Sequence, residues 1–88
     1  MIINIEDLKK KIIYRSSYRG TKEMDTLLSS FTKKYINSLN YTELKDLLDI
    51  LNLDDETLYK FNMREIKNLD IPENKVATLF KNFILYDN

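Results

Sequence analysis

The 88-residue chain contains no cysteine and no histidine, and only one glycine and one proline. Each absence removes a class of answer. Without Cys there is no disulfide framework and no thiolate metal site, and a reducing compartment is permitted. Without His the commonest metal ligand is gone, and so is the one side chain that titrates near neutrality without tuning. A zinc site, a Ser-His-Asp triad and a Cys-His pair are therefore excluded. With Gly20 as the only glycine there is no Gly-rich loop to cradle a phosphate. Too few turn residues remain for an all-β fold.

What is present favours helices. Leu, Ile, Lys, Glu and Asp dominate, and apolar residues recur every three or four positions. We read a single all-α domain over residues 1–88, a small bundle of about five helices. The first runs from Glu6 to Arg15 or beyond on a stripe of Ile5, Leu8, Ile12 and Ile13. In the second, Gly20 is the expected cap and Glu23 the third helical residue; Met24, Leu27, Leu28, Phe31, Tyr35 and Leu39 form its buried face, ending near Leu39–Asn40. Asn40 with Glu43 opens the third, whose buried stripe is expected to be Tyr41, Leu44, Leu47, Leu48 and Leu51, to about Asn52. Asp54 caps a short fourth bearing Leu58, Tyr59 and Phe61, with Leu53 and Leu58 placed for a hydrophobic staple. Asn62 with Glu65 suggests one extra turn around Ile66. Pro72 is the expected first residue of the last helix, whose core face is Val76, Leu79, Phe80, Phe83 and Ile84. Leu85 to Asn88 is expected to fray.

Fourteen basic residues balance fourteen acidic ones, unevenly. Residues 1–22 carry six basic and two acidic side chains, a net of +4; residues 43–73 carry four and nine, a net of −5. Solvated faces that offset each other explain this, and so does a basic docking surface for an acidic partner. Met1 to Ile5 is too short for the apolar region of a signal peptide. No run nears the roughly 20 apolar residues of a membrane span. The expected setting is cytoplasmic.

No catalytic constellation emerges. Asp54-Asp55-Glu56 lacks the alternate spacing and the Gly of a calcium loop and reads as a helix cap with dipole-compensating acids. Ser29 and Ser30 have no partner base, and the lysines lie between apolar stripes, in solvent. We therefore expect no enzyme, no bound metal and no stably bound cofactor. The informative stretch is Arg15 to Asp25. Two of the chain's three arginines fall there, against eleven lysines in the whole chain. A chain that otherwise uses Lys places Arg where a planar, multi-donor fork has a use. Glu23 and Asp25 lie about 100° to either side of Met24, at the rim of the buried stripe. A helix–helix corner explains these residues, with Gly20 allowing an unusual backbone angle or a close approach and an Arg pairing with Asp25. A protein-contact patch explains them too, since Arg and Tyr are favoured at interface hot spots.

Tyr14-Arg15-Ser16-Ser17-Tyr18 followed by Arg19-Gly20-Thr21-Lys22-Glu23-Met24-Asp25 resembles the signature of the succinate dehydrogenase assembly factor 2 family, whose bacterial members are called SdhE. That signature is an Arg- and Ser-bearing helix end, then Arg-Gly-x-x-Glu-x-Asp. A looser second match is Asp54-Asp55-Glu56-Thr57-Leu58-Tyr59-Lys60-Phe61. The resemblance covers about residues 8–84. It implies a five-helix bundle that binds the flavoprotein subunit of succinate dehydrogenase, in some bacteria of fumarate reductase, and promotes covalent attachment of FAD to a histidine of that subunit. It implies that Arg19, Gly20, Glu23 and Asp25 contact the partner, flanked by Arg15 and Ser16. The chain departs from the pattern in three places: Phe61 replaces a Trp, Tyr18 stands where another Arg is frequent, and residues 62–71 differ from the usual Gly-containing turn. The reading from another class is a regulatory or nucleic-acid-binding helical module using the basic first helix; zero net charge and the acidic middle weigh against it.

Overall fold

The computed structural model describes residues 4–85, and among them it contains five α-helices and no strand. They are α1 (Ile5–Ser16), α2 (Lys22–Tyr35), α3 (Tyr41–Leu51), α4 (Asp55–Asn62) and α5 (Lys75–Lys81). Each begins at a short polar side chain in extended backbone that accepts from a free N–H of the first turn: Asn4, Thr21, Asn40, Asp54 and Asn74. The third is a complete capping box. Asn40 Oδ1 accepts from Glu43 N at 2.9 Å, and Glu43 Oε1 accepts from Asn40 N at 2.9 Å.

α1 packs against α2 and α3, α3 against α5, and α4 against α5. One continuous core fills the space between them. Leu8, Ile12, Met24, Leu27, Leu28, Phe31, Leu39, Leu44, Leu47, Leu51, Leu58, Val76 and Phe80 are buried as the periodicity implied, and Ile36, Ile50, Phe61, Leu69 and Ala77 join them. Phe31 is the hub of an aromatic cluster, with ring centroids 5.0 Å from Tyr35, 5.2 Å from Phe80 and 5.3 Å from Phe83. Leu48, Leu79 and Phe83, expected in the core, are half-buried at its margin.

Five expectations are corrected. The cap of α2 is Thr21, whose hydroxyl accepts from Met24 N at 3.2 Å. Gly20 has no side chain to offer and stands one residue outside. α2 stops at Tyr35 rather than near Leu39, because a turn closed by Ser38 N to Tyr35 O at 2.9 Å brings the chain around and still buries Leu39. α5 starts three residues after Pro72: Asn74 accepts from Ala77 N at 2.8 Å, a bond proline cannot offer. No helical turn forms around Ile66, because Asn62 is the last residue of α4 and its Nδ2 donates to Phe80 O and Phe83 O, both at 2.9 Å. Ile13, placed on the core stripe, is 52% exposed, and Ile5, Tyr41 and Ile84 are exposed as well. The core takes a narrow face of α1, and Ile84 lies beyond the end of α5. The expected fraying of Leu85 to Asn88 falls, after Leu85, outside the described residues.

Candidate functional site

α1 and α2 are joined by Ser17 to Thr21, and this corner holds the residues singled out from the sequence. Arg19 organises it. Its Nε donates to Asp55 Oδ1 at 2.8 Å, its Nη1 to Arg15 O at 2.9 Å and Leu51 O at 2.7 Å, and its Nη2 to Leu53 O at 3.0 Å. The carbonyls of Arg15 and Leu51 belong to the last turns of α1 and α3, where helix C=O groups lack partners and the dipole favours a cation. One planar fork thus ties the ends of α1 and α3 to the start of α4. The Arg19 side chain is only 12% exposed, so these charge-assisted bonds are largely shielded from water.

Asp55 answers with both oxygens. Its Oδ1 takes the guanidinium, and its Oδ2 accepts from Gly20 N at 2.8 Å. A Cβ at Gly20 would lie 3.1 Å from that same Oδ2, so the glycine is there for close approach. Its φ is not in the left-handed region. Arg19 pairs with Asp55 and not, as the local reading had it, with Asp25. Asp25 is half-buried on α2 and accepts instead from the Ser29 hydroxyl at its backbone carbonyl. The partner of Arg19 lies 36 residues away, at the second stretch noted in the sequence. The two patches are one structure.

The six candidate residues divide accordingly. Arg15, Gly20 and Glu23 are exposed, Asp25 is partly so, and Ser16 and Arg19 turn inward. Ser16 is buried, with its hydroxyl donating to Ile13 O at 2.9 Å. Beside the corner lies an open depression of about 410 Å³ lined by Tyr14, Arg15, Tyr18, Gly20, Asp54 and Asp55. Asp54 on this rim is exposed but held in place as the cap of α4. Its carboxylate accepts from the Thr57 hydroxyl at 2.7 Å and from Thr57 N at 3.1 Å, and these bonds hold it below the usual carboxylate value. On the other side, Glu23 borders a larger apolar depression of about 620 Å³, where Tyr59, Met63, Ile84 and Leu85 surround Met24 and Leu27. Sequence reasoning missed that surface, because it forms only where α2, α4 and the segment after α5 converge.

Chemically this is a rigid corner with hydrogen-bonding and charged groups on a small rim, flanked by apolar ground. No group of three or more acidic residues is placed to hold a metal ion among the described residues. The class defined is a small all-α domain of five helices among the described residues.

The comparisons agree. A family model described as flavinator of succinate dehydrogenase matches residues 10–84. The chain belongs to that family. It is 33% identical over 69 residues to the succinate dehydrogenase assembly factor 2 of Komagataella phaffii, covering 77% of this chain and 36% of that one. It is 32% identical over 69 residues to the Saccharomyces cerevisiae protein of the same name, 78% of this chain and 43% of that one. With the Dictyostelium discoideum protein of that name the identity is 35% over 80 residues, 91% of this chain and 55% of that one. All three are named as mitochondrial. The chain spans between about a third and about half of the length of these relatives. No solved structure matches. No helix among the described residues is long and apolar enough to cross a membrane.

Proposed function

We propose that this chain binds the flavoprotein subunit of succinate dehydrogenase and promotes covalent attachment of FAD to it, without itself holding the flavin or catalysing a reaction. The observation that carries this is the family match over residues 10–84. The geometry supports a contact mechanism. Gly20 leaves its backbone bare at the rim, while Arg15, Glu23 and the exposed edge of Asp25 flank it. Ser16 and Arg19 set the shape of that rim from within. This chain has no His, so on this reading the attacking histidine belongs to the partner. Fumarate reductase, whose flavoprotein subunit offers the same chemistry, is a second client on this reading. A cytoplasmic setting is our reading of the sequence; the mitochondrial one belongs to the relatives.

The test mixes purified flavoprotein subunit with FAD, with and without this chain, and reads covalent flavin by in-gel fluorescence. Faster labelling with the chain, lost with Gly20→Glu, is the expected result. Equal labelling with and without the chain overturns the proposal.

A further inference from the structure

Among the described residues, two outside glycine adopt left-handed backbone angles, Tyr18 at φ 57° and Arg64 at φ 63°. Such angles are strained for any side chain with a Cβ. Arg64 has a local reason. It follows α4, and the bonds Arg64 N to Phe61 O at 3.1 Å and Glu65 N to Lys60 O at 2.8 Å close a Schellman turn around it. Tyr18 stands in the same place after α1, but among the described residues the N–H groups of Tyr18 and Arg19 make no such bonds to α1. The chain accepts the strain and sends the ring into solvent, where Tyr18 is 82% exposed. The ring is nevertheless not loose: it rests against Tyr14, itself 65% exposed, with centroids 5.6 Å apart. Two aromatic faces are thus braced beside Gly20 and offered outward, at the mouth of the depression described above.

Charge says what meets them. Lys10, Lys11 and Arg15 are exposed on α1 alongside Tyr14, and among the described residues none of the three has a carboxylate within ion-pair distance. Of the nearby acids, Asp55 is paired with Arg19 and also accepts from Gly20 N, while Asp54 keeps its charge, hydrogen-bonded only to the neutral Thr57. The face is therefore aromatic, with Lys10, Lys11 and Arg15 outnumbering the exposed carboxylate of Asp54.

We propose that Tyr18, braced on Tyr14, is a specificity-determining contact of the partner interface. Its ring takes an apolar side chain from a segment of the flavoprotein subunit that also carries a carboxylate for Arg15. This rests on the function proposed above and adds the residue and the chemistry of the segment it meets. Left-handed strain is spent on holding a rigid aromatic anchor in place before binding.

The test exploits the backbone angle. Tyr18→Gly removes the ring and at the same time relieves the strain, so a structural role and a contact role predict opposite results. Binding to purified flavoprotein subunit is measured by titration calorimetry, and folding by thermal melting. The expectation is binding weakened by about tenfold or more with a melting temperature that does not fall, and restoration to within about threefold by Tyr18→Phe, which keeps the ring. Arg15→Gln should weaken binding and flatten its salt dependence. Unchanged binding by Tyr18→Gly, with the unaltered chain binding normally, overturns the proposal alone. A melting temperature that falls together with binding overturns it in favour of a structural role. Self-association of the unaltered chain that Tyr18→Gly abolishes overturns it in favour of a second copy as occupant. Failure of the unaltered chain to bind the flavoprotein subunit at all overturns the functional reading and this proposal together.

Discussion

Arg19 makes four hydrogen bonds from one side chain, and lysine cannot reproduce that geometry. A point ammonium can satisfy Asp55 or the carbonyls of Arg15, Leu51 and Leu53, but not all of them in one plane. Arg19→Lys should cost about 2 kcal/mol, or roughly 10 °C in melting temperature for a domain this small. Thermal melting by circular dichroism checks it, and an unchanged midpoint would show that the fork does not hold the corner. The consequence for function is practical. Loss of partner binding on replacing Arg19 reports a distorted rim as much as a lost contact, whereas Arg15 and Tyr18 can be changed without touching the core. Arg64 gives the converse case. Here the Schellman turn wants a glycine that the chain does not have, so Arg64→Gly should raise stability by up to about 1 kcal/mol despite losing the 2.8 Å bond from Nη2 to Asn82 Oδ1. A lower midpoint would mean that the Asn82 bond outweighs the backbone strain.

Among the elements, the helix starts explain where pH should act. Glu43 sits below its ordinary value of 4.5, chiefly through the Asn40 N–H and with help from Lys75, whose Nζ is 3.3 Å from Oε2. Asp54 sits below its ordinary value of 3.8, chiefly through the Thr57 hydroxyl and then the Thr57 N–H. A carboxylate with a depressed folded value binds its proton more weakly in the folded state than in the unfolded one. Its contribution is fully present above the ordinary value and is lost as pH falls through the depressed one. Stability should therefore be flat above about pH 5 and decline below the ordinary values of 4.5 and 3.8. Urea midpoints between pH 3 and 7 measure it, and the Asp54→Asn variant should show a shallower decline at the acid end. Midpoints that stay level down to pH 3 would contradict the cap assignments.

At the scale of the whole molecule, one aromatic hub carries much of the stability. Phe31 is fully buried and touches rings from α2, α5 and the segment that follows. Phe31→Ala should cost about 3–5 kcal/mol, against a total of about 5–15 kcal/mol for a domain. That is enough to leave a substantial unfolded fraction at physiological temperature, seen as a lost or broadened denaturant transition with m reduced. A full transition at the original midpoint would mean that the core is not centred there. The corner at Arg19 is held by a different set of residues from this hub. Changes at the hub should thus lower the amount of folded protein, and changes on the rim should lower the affinity of what remains.

Helix number, chain order and most of the core were legible in the sequence, because caps and the 3.6-residue repeat are local signals. Asn40 with Glu43 and the cap at Asp54 read correctly for that reason. Thr21 was passed over for Gly20, which has no side-chain acceptor to give, and the start of α5 was placed at Pro72 when Asn74 caps it two residues later. The Arg-Gly signature was likewise visible as a signature. Its physical meaning was not. Nothing local links Arg19 to Asp55, and the nearer Asp25 was the natural guess. Only the packing of α1, α3 and α4 brings three helix ends within reach of one guanidinium, seats Gly20 close against Asp55, and leaves Tyr18 facing outward. Local periodicity determines which residues are helical and which are buried. Long-range packing decides which charges meet, because a carboxylate 36 residues away in sequence has no local pattern that announces it.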